Sequence, residues 1–221
     1  MNEADGPDPH RGPLRAGVIV AHPDDETIWC GGTILTHPEW AWTVVALCRR
    51  DDPDRSPRFF RALEALGATG TIGNLDDEPD QNPLPPQQVR QAVLSLLPAA
   101  PLDLILSHSP CGEYTRHRRH EEAGRAVLEL WESGDLEADA VWIFAYEDGR
   151  KTYLPRPIAG ADRRTELSDP VWQKKRRIIR EIYGFGPESF EACAAPRQEA
   201  FWCFESPAAA GRWMTQKGPR P

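Results

Sequence analysis

Nearly continuous apolar runs alternate with helix-like segments along most of the chain, and this alternation constrains the fold more than any other feature. Residues 102–107 (LDLILS) form the clearest apolar run. A strand that is apolar at almost every position is typical of a parallel sheet buried on both faces. The pattern therefore predicts an α/β, Rossmann-like domain in which helices cover both faces of a mostly parallel sheet. The length of 221 residues favours one such domain over two.

Hydrophobic periodicity places the individual elements. Strands are predicted over residues 16–21, 42–47, 69–72, 102–107 and 140–146. Helices are predicted over residues 27–36, 57–66, 86–97, 117–131 and 171–183. Residues 1–14 are polar and rich in Pro, Gly and Asp, which predicts a flexible tail before a domain that spans residues 15–221. Residues 184–221 are expected to form a less regular extension that adds an edge strand to this domain.

Composition excludes several kinds of partner. The chain has 34 acidic and 26 basic residues, a net charge of -8, which argues against binding to a nucleic-acid backbone. No apolar run approaches the roughly 18 residues that span a bilayer, and the N-terminus does not resemble a signal peptide, so we expect a cytoplasmic protein without a membrane partner. The sequence leaves the oligomeric state open, a homo-oligomer included. The five cysteines lack a CxxC pair and are interpreted as reduced, mostly buried thiols.

The first chemical motif is His22-Pro23-Asp24-Asp25-Glu26, between the first predicted strand and the first predicted helix. Ligands of doubly wound sheets bind at the carboxyl ends of the strands. Imidazole nitrogen together with carboxylate oxygen suits Zn²⁺, and Fe²⁺ remains an alternative, because ligand type narrows the choice of metal without fixing it. The competing interpretation is a helix start whose acidic groups cap free N–H groups and complement the helix dipole.

The second motif, SHSPCGEYTRHRRH, follows the apolar run and covers residues 107–120. His117 and His120 are three residues apart and therefore share one face of a helix. On its own this spacing is equally typical of a solvated polar face, but both motifs follow predicted parallel strands and can face one crevice. His108 is interpreted as a structural histidine, with a supporting role beside the site as the alternative, and neither His10 nor His37 is expected to bind metal. The cluster of Arg116, Arg118 and Arg119 either attracts an anionic substrate or forms a solvated helix face.

Together, AHPDDE and SHSPCGEYTRHRRH resemble the PIG-L/LmbE-like family of zinc-dependent N-deacetylases, and the resemblance extends over roughly residues 16–185. Residues 61–67 are also similar to a helix of that family. The resemblance implies that His22, Asp25 and His120 bind zinc; spacing alone does not decide which aspartate does so. It further implies that Asp24 is the general base and that His117, in its charged form, stabilises the transition state. The family's last motif often reads His-Pro-Asp-His, whereas Arg118 and Arg119 fill its middle here, which leaves substrate recognition open.

The resemblance implies hydrolysis of an N-acyl amide, typically N-acetyl, on a small sugar-like substrate, with zinc-bound water as the nucleophile. Three protein ligands leave a coordination position open, as catalytic zinc requires. Glu113, Tyr114 and Arg61 are candidate substrate contacts.

Two other classes of function compete with hydrolysis. A Rossmann-like nucleotide or small-molecule binding protein would carry a glycine-rich turn directly after the first strand, but HPDDE occupies that place and Gly31-Gly32 comes later. A non-catalytic binding protein that inherited the fold is the less economical alternative, because all five chemical residues are present together.

Overall fold

A seven-stranded sheet forms the centre of the computed structural model, which describes residues 12–114 and 117–217. The strands are β1 Arg15–Val20, β2 Ala41–Cys48, β3 Thr69–Leu75, β4 Leu102–Ser107, β5 Ala138–Phe144, β6 Tyr146–Glu147, β7 Arg156–Pro157, β8 Arg163–Glu166 and β9 Gln198–Phe204. The helices are α1 Asp25–Thr36, α2 Arg55–Leu66, α3 Pro86–Leu96, α4 Arg118–Ser133, α5 Asp169–Arg177, α6 Phe190–Ala194 and α7 Pro207–Lys217. A π-helical turn, Ile178–Ile182, continues α5.

The strand order in this sheet is β3-β2-β1-β4-β5-β9-β8. The first five strands in the chain are parallel, and β9 and β8 join them in antiparallel orientation. After β3 the chain crosses to the other side of β1, so that β4 pairs with β1, with Ile19 opposite Ser107. Strands β1 and β4 therefore flank the point at which the strand order reverses, where doubly wound sheets bind their ligands. The two sequence motifs begin at these two strand ends.

Helical layers cover the sheet as predicted. Helix α1 packs with α2 and α5, whereas α4 packs with α3 and α7. The central strands lie between these layers, and Val18, Ile19 and Val20 of β1 are fully buried. Burial on both faces explains why β1 is an apolar run without polar alternation. Within the described residues, no helix is both long and apolar enough to cross a bilayer.

The C-terminal part of the chain differs from expectation. Strand β9 lies between β5 and β8 and is therefore interior, so the predicted edge strand is wrong. Ala200 and Phe201 of β9 are fully buried. The edge position belongs to β8, whose sequence RRTE has no apolar pattern that would have indicated a strand. Charged side chains are common on such edges because they discourage pairing with other chains. Residues 184–217 thus complete the sheet and add two helices, α6 and α7.

Two further expectations need adjustment, and a third lies largely outside the described residues. The helix predicted over residues 171–183 is α5 followed by the π-helical turn. All five cysteines are free thiols, but only Cys30 and Cys48 are buried and Cys193 is exposed, so "mostly buried" is wrong. Residues 1–11 of the predicted tail lie outside the described residues. At its end, the Leu14 carbonyl accepts a hydrogen bond from the Ala41 N–H group (2.8 Å), which ties this residue to the sheet.

Candidate metal centre and active site

The first motif forms the short turn between β1 and α1. Asp24 has φ 118° and ψ -32°, a backbone conformation that residues other than glycine rarely adopt. Its carbonyl oxygen accepts hydrogen bonds from the Thr27 and Ile28 N–H groups (3.0 and 2.9 Å), so α1 starts immediately after it. Backbone strain of this kind persists only where the surrounding structure enforces it, and it is concentrated at functional sites.

Three side chains converge where this turn meets the start of α4. His22 Nδ1 lies 3.1 Å from Asp25 Oδ2 and 3.3 Å from His120 Nε2. The third side of the triangle, from His120 Nε2 to Asp25 Oδ2, is 3.2 Å. Gly124 lets α4 lie close to the chain segment after β4, because a Cβ atom at this position would collide with the His108 backbone. The donor atoms of the three residues that the family resemblance implies as ligands therefore lie within 3.3 Å of one another.

The triangle has the size that a metal requires. Zinc–nitrogen and zinc–oxygen bonds of about 2.0–2.1 Å in tetrahedral geometry separate the ligand atoms by about 3.3–3.4 Å. The three observed separations are within a few tenths of an ångström of this value. The donors are two nitrogens and one oxygen, a set that Zn²⁺ and Fe²⁺ both accept. The residues present therefore fit a catalytic metal ion.

Other donor groups in the same region also lie within 4.8 Å of one another. They are His22, His117 and His120; Asp25, His108 and His120; and His22, Cys48 and Asp77. His108 is a poor ligand because its Nε2 atom already accepts a hydrogen bond from the Ala21 N–H group (3.0 Å). The triangle of His22, Asp25 and His120 remains the best supported set.

Each of these three groups has a partner that orients it. His22 Nε2 lies 3.1 Å from Asp77 Oδ1, and His120 Nδ1 lies 2.8 Å from Glu113 Oε2. Asp25 Oδ1 accepts a hydrogen bond from Trp29 Nε1 (3.1 Å). Such partners fix the tautomer and ring orientation of metal-binding histidines. Asp77 belongs to neither sequence motif, but it lies two residues after β3, and this place near a strand's carboxyl end is the signal that points to it.

His108 lies beneath the site and supports it. Its ring stacks on His120 with centroids 3.8 Å apart, and its Nδ1 atom is 3.1 Å from Glu113 Oε1. These contacts favour the alternative expectation, a supporting role for His108 beside the candidate metal centre.

Asp24 lies beside the triangle with its carboxylate bound to Arg55, whose Nη1 atom is 3.0 Å from Asp24 Oδ2. Burial and the neighbouring Asp25 carboxylate raise the pKa of Asp24 well above its ordinary value, while Arg55 opposes this shift. A carboxylate with a raised pKa is better suited to accept and return a proton near neutral pH. The environment of Asp24 therefore suits the role of general base that the family resemblance implies.

His117 precedes α4, and its ring centroid lies 4.8 Å from that of His22. Burial, together with positive charge on His120 and His22, lowers the pKa of His117 to about 3. The expected charged imidazole is therefore not supported, since the neutral ring is favoured. Gln81 Nε2 lies 3.2 Å from His117 Nε2, and an amide N–H donated there leaves the proton on Nδ1. Nδ1 has no hydrogen-bond partner among the described residues.

The candidate substrate contacts differ in their positions. Tyr114 lines the active-site cavity, which has a volume of about 330 Å³, and stacks on Trp29 with centroids 5.6 Å apart. Glu113 is buried, and its carboxylate faces His108 and His120, a position suited to orienting these rings. Arg61 is exposed on α2, whereas Arg55, at the start of the same helix, lines the cavity.

Among the remaining candidates, those within the described residues lie away from the cavity. Arg119 is buried and donates hydrogen bonds to the backbone carbonyls of Asp76 and Asn82, so it belongs neither to a solvated helix face nor to the substrate site. Arg118 is exposed, and Arg116 lies outside the described residues, as does His10. His37 follows the opposite end of α1.

Comparison with known proteins agrees with the motifs. The family model described as PIG-L: GlcNAc-PI de-N-acetylase matches residues 17–131, which is just over half of the chain. This range contains His22, Asp24, Asp25, His117 and His120. No curated protein matches the sequence.

Solved structures share the fold at low sequence identity. N,N'-diacetylchitobiose deacetylase from Pyrococcus horikoshii is 17% identical with a TM-score of 0.65, over 86% of this chain and 84% of that chain. The zinc-inhibited form of teicoplanin deacetylase Orf2 is 13% identical with a TM-score of 0.61, over 87% and 99% of the two chains. GalB, the 4-carboxy-2-hydroxymuconate hydratase from Pseudomonas putida KT2440, is 19% identical with a TM-score of 0.55, over 86% and 95%.

Proposed function

We propose, because the chain belongs to the PIG-L family, that it is a metal-dependent hydrolase that removes an N-acyl group, typically acetyl, from a small sugar-like molecule. The observation that carries this proposal is the triangle of His22, Asp25 and His120 with Asp24 beside it. The proposed ligands, the proposed general base and a cavity lie together at the switch point of the sheet.

His22, Asp25 and His120 would hold the metal ion. When bound, Zn²⁺ polarises an amide carbonyl and lowers the pKa of water toward about 7. Fe²⁺ suits the same nitrogen and oxygen donors. A zinc-inhibited form is known for the structurally similar teicoplanin deacetylase, so the native metal of this chain has to be established by experiment.

The surrounding residues supply proton transfer and charge stabilisation. Asp24 takes a proton from the attacking water and passes one to the leaving amine, a role worth about 10²–10⁴-fold in rate. Arg55 holds the Asp24 carboxylate in place through its 3.0 Å contact. His117, which lines the cavity, donates a hydrogen bond to the carbonyl oxygen as negative charge develops there. A neutral imidazole can make this hydrogen bond, so the proposed role does not need a charged ring.

A hydration reaction is the second candidate, because GalB, a hydratase, shares this fold. A metal ion and a carboxylate base could equally activate water for addition to a double bond. The nucleotide-binding alternative is less favoured, since acidic residues and His22 occupy the turn where a phosphate-binding loop would lie.

Metal analysis followed by an activity screen tests the proposal. The purified protein, loaded separately with Zn²⁺ and Fe²⁺, is assayed for acetate release from N-acetylated sugars and for hydration of unsaturated carboxylates. We expect one metal ion per chain and acetate release. Hydration activity without acetate release would replace the proposed reaction with the second candidate.

His120→Ala tests the ligand assignment. His37→Ala is the control, because His37 lies away from the cavity at the end of α1. We expect His120→Ala to lose most of its metal on dialysis and His37→Ala to retain it. Full metal occupancy in His120→Ala would contradict the assignment.

A further inference from the structure

A second cavity, of about 540 Å³, adjoins the active site. Apolar and aromatic residues form much of its wall, among them Tyr153, Leu154 and Pro155. Tyr114 and Phe190 line both this cavity and the active-site cavity, and their rings lie 5.0 Å apart. We call the second cavity the hairpin groove, because residues 148–155 connect β6 to β7. The two cavities therefore adjoin at Tyr114 and Phe190.

The tip of the hairpin is braced from within. The Asp148 carboxylate accepts a hydrogen bond from the Arg150 N–H group (2.9 Å). The Asp148 carbonyl accepts hydrogen bonds from the Thr152 and Tyr153 N–H groups (3.1 and 3.3 Å). Arg150 and Lys151 have positive φ angles of 61° and 69°, which are unfavourable unless other contacts enforce them. These hydrogen bonds hold the hairpin, which forms one wall of the groove, in a defined conformation.

The groove also contains an unusual amount of exposed apolar surface. Among the described residues, four large apolar side chains are exposed: Phe60, Leu94, Leu154 and Phe190. Two of the four, Leu154 at 51% and Phe190 at 41%, line this one groove. Exposed apolar groups that cluster beside a polar reaction centre are typical of a ligand-binding surface.

We propose that the natural substrate carries an alkyl or aryl group that occupies the hairpin groove while its amide lies at the metal centre. This inference rests on the proposed deacylation and specifies its substrate class. The apolar group is attached either to the acyl carbonyl or to the sugar. With either attachment, the apolar group is buried against Leu154, Phe190 and Tyr153.

Paired substrates distinguish the two attachments. One arm compares the methyl and hexyl glycosides of N-acetylglucosamine, and the other compares N-acetyl with N-hexanoyl groups on the methyl glycoside of glucosamine. Burial of each CH₂ group contributes about 0.8 kcal/mol, and a tenfold change corresponds to about 1.4 kcal/mol. We expect kcat/KM to rise at least about tenfold for the longer member in one arm, mainly through KM.

Leu154→Ser is compared with Leu94→Ser, which alters a leucine of similar exposure (41%) on α3. We expect Leu154→Ser to reduce the preference for the longer substrate by about threefold or more. Leu94→Ser should keep the wild-type preference. Equal kcat/KM for short and long substrates in both arms, or the same loss of preference in both variants, would overturn the inference.

Calorimetric binding separates failure of the groove from failure of the proposed reaction. The probes are methyl and hexyl β-glucosaminide, which lack an acyl group and so do not depend on hydrolysis. Tighter binding of the hexyl compound that weakens in Leu154→Ser, without release of acetate or hexanoate from any substrate, would retain the groove and reject the deacylase. Acetate release without any effect of hydrocarbon length, in kinetics or binding, would reject the groove and retain the deacylase.

Discussion

Asp24 combines a strained backbone with a partly buried carboxylate that lies next to the candidate metal ligands. We predict that Asp24→Asn retains the metal and lowers kcat by at least about 10²-fold, because the proton acceptor is lost while the ligands stay. Asp25→Asn, the matched change one residue later, should lose metal. Metal content and kcat are measured on both variants. Metal loss in Asp24→Asn alone would show that the two roles are exchanged.

The ion pair between Arg55 and Asp24 predicts how the pH dependence of the reaction shifts when the Arg55 charge is removed. Its positive charge lowers the pKa of Asp24 against burial and Asp25, which raise it. A base is active when deprotonated, so kcat/KM falls as the pH drops through the pKa of this carboxyl. We predict that Arg55→Gln moves this acidic limb to higher pH by roughly half a unit or more. Arg61→Gln, on the exposed part of α2, is the control. An unshifted limb in Arg55→Gln would contradict the role of the ion pair.

The turn between β1 and α1 depends on an element far along the chain. Glu26 is fully buried, and its Oε2 atom accepts a hydrogen bond from the Asp24 N–H group (3.0 Å). Its Oε1 atom accepts a hydrogen bond from the Tyr183 hydroxyl (2.7 Å) at the end of the π-helical turn. Arg58 of α2 in turn donates to the Tyr183 carbonyl (2.7 Å). Together, α2 and the π-helical turn position the backbone of Asp24 through Glu26.

We predict that Tyr183→Phe lowers kcat by about threefold or more while KM stays within about twofold, because positioning of the base is lost and binding is not. Tyr146→Phe is the matched control. The Tyr146 hydroxyl is also buried and also contacts α1, but it donates its hydrogen bond to the Trp29 carbonyl (2.8 Å). Both changes should reduce stability by about 1–3 kcal/mol. Equal effects on kcat in the two variants would indicate a general structural role for Tyr183.

At the scale of the whole molecule, a buried ion pair ties α1 to α5 and β9. Lys175 and Glu199 are fully buried, with Nζ and Oε1 2.7 Å apart. The Glu199 carboxylate also accepts hydrogen bonds from the Gly32 and Thr33 N–H groups of α1 (2.7 and 2.6 Å). The helix that carries the first motif is thus attached to a strand near the C-terminus.

We predict that Glu199→Gln lowers the free energy of unfolding by about 3–5 kcal/mol, because it leaves the buried Lys175 charge without a counter-charge. Glu129→Gln breaks the partly exposed Arg90–Glu129 pair (2.7 Å) and should cost less than about 1 kcal/mol. Denaturant unfolding measures both. Similar small losses in the two variants would show that Glu199 does not connect the layers as described.

Local patterns in the sequence determined the parallel strands and the position of the two motifs. Burial on both faces requires continuous apolar runs, so β1 and β4 are evident from sequence alone. Because parallel strands end at the same edge of the sheet, the motifs that follow them could be expected to meet. The family resemblance then distinguished Asp24 from Asp25, which spacing could not do.

Only the tertiary structure decided features that depend on residues distant in sequence. The interior place of β9 follows from its pairing with β5 and β8, and the RRTE sequence of β8 has no pattern that predicts a strand. Asp77 and Tyr183 join the site across long intervals of chain. The neutral state of His117 follows from burial and from charges brought near it by other elements. Periodicity and spacing report on neighbours along the chain, whereas pairing order, orientation of ligands and pKa depend on neighbours in space.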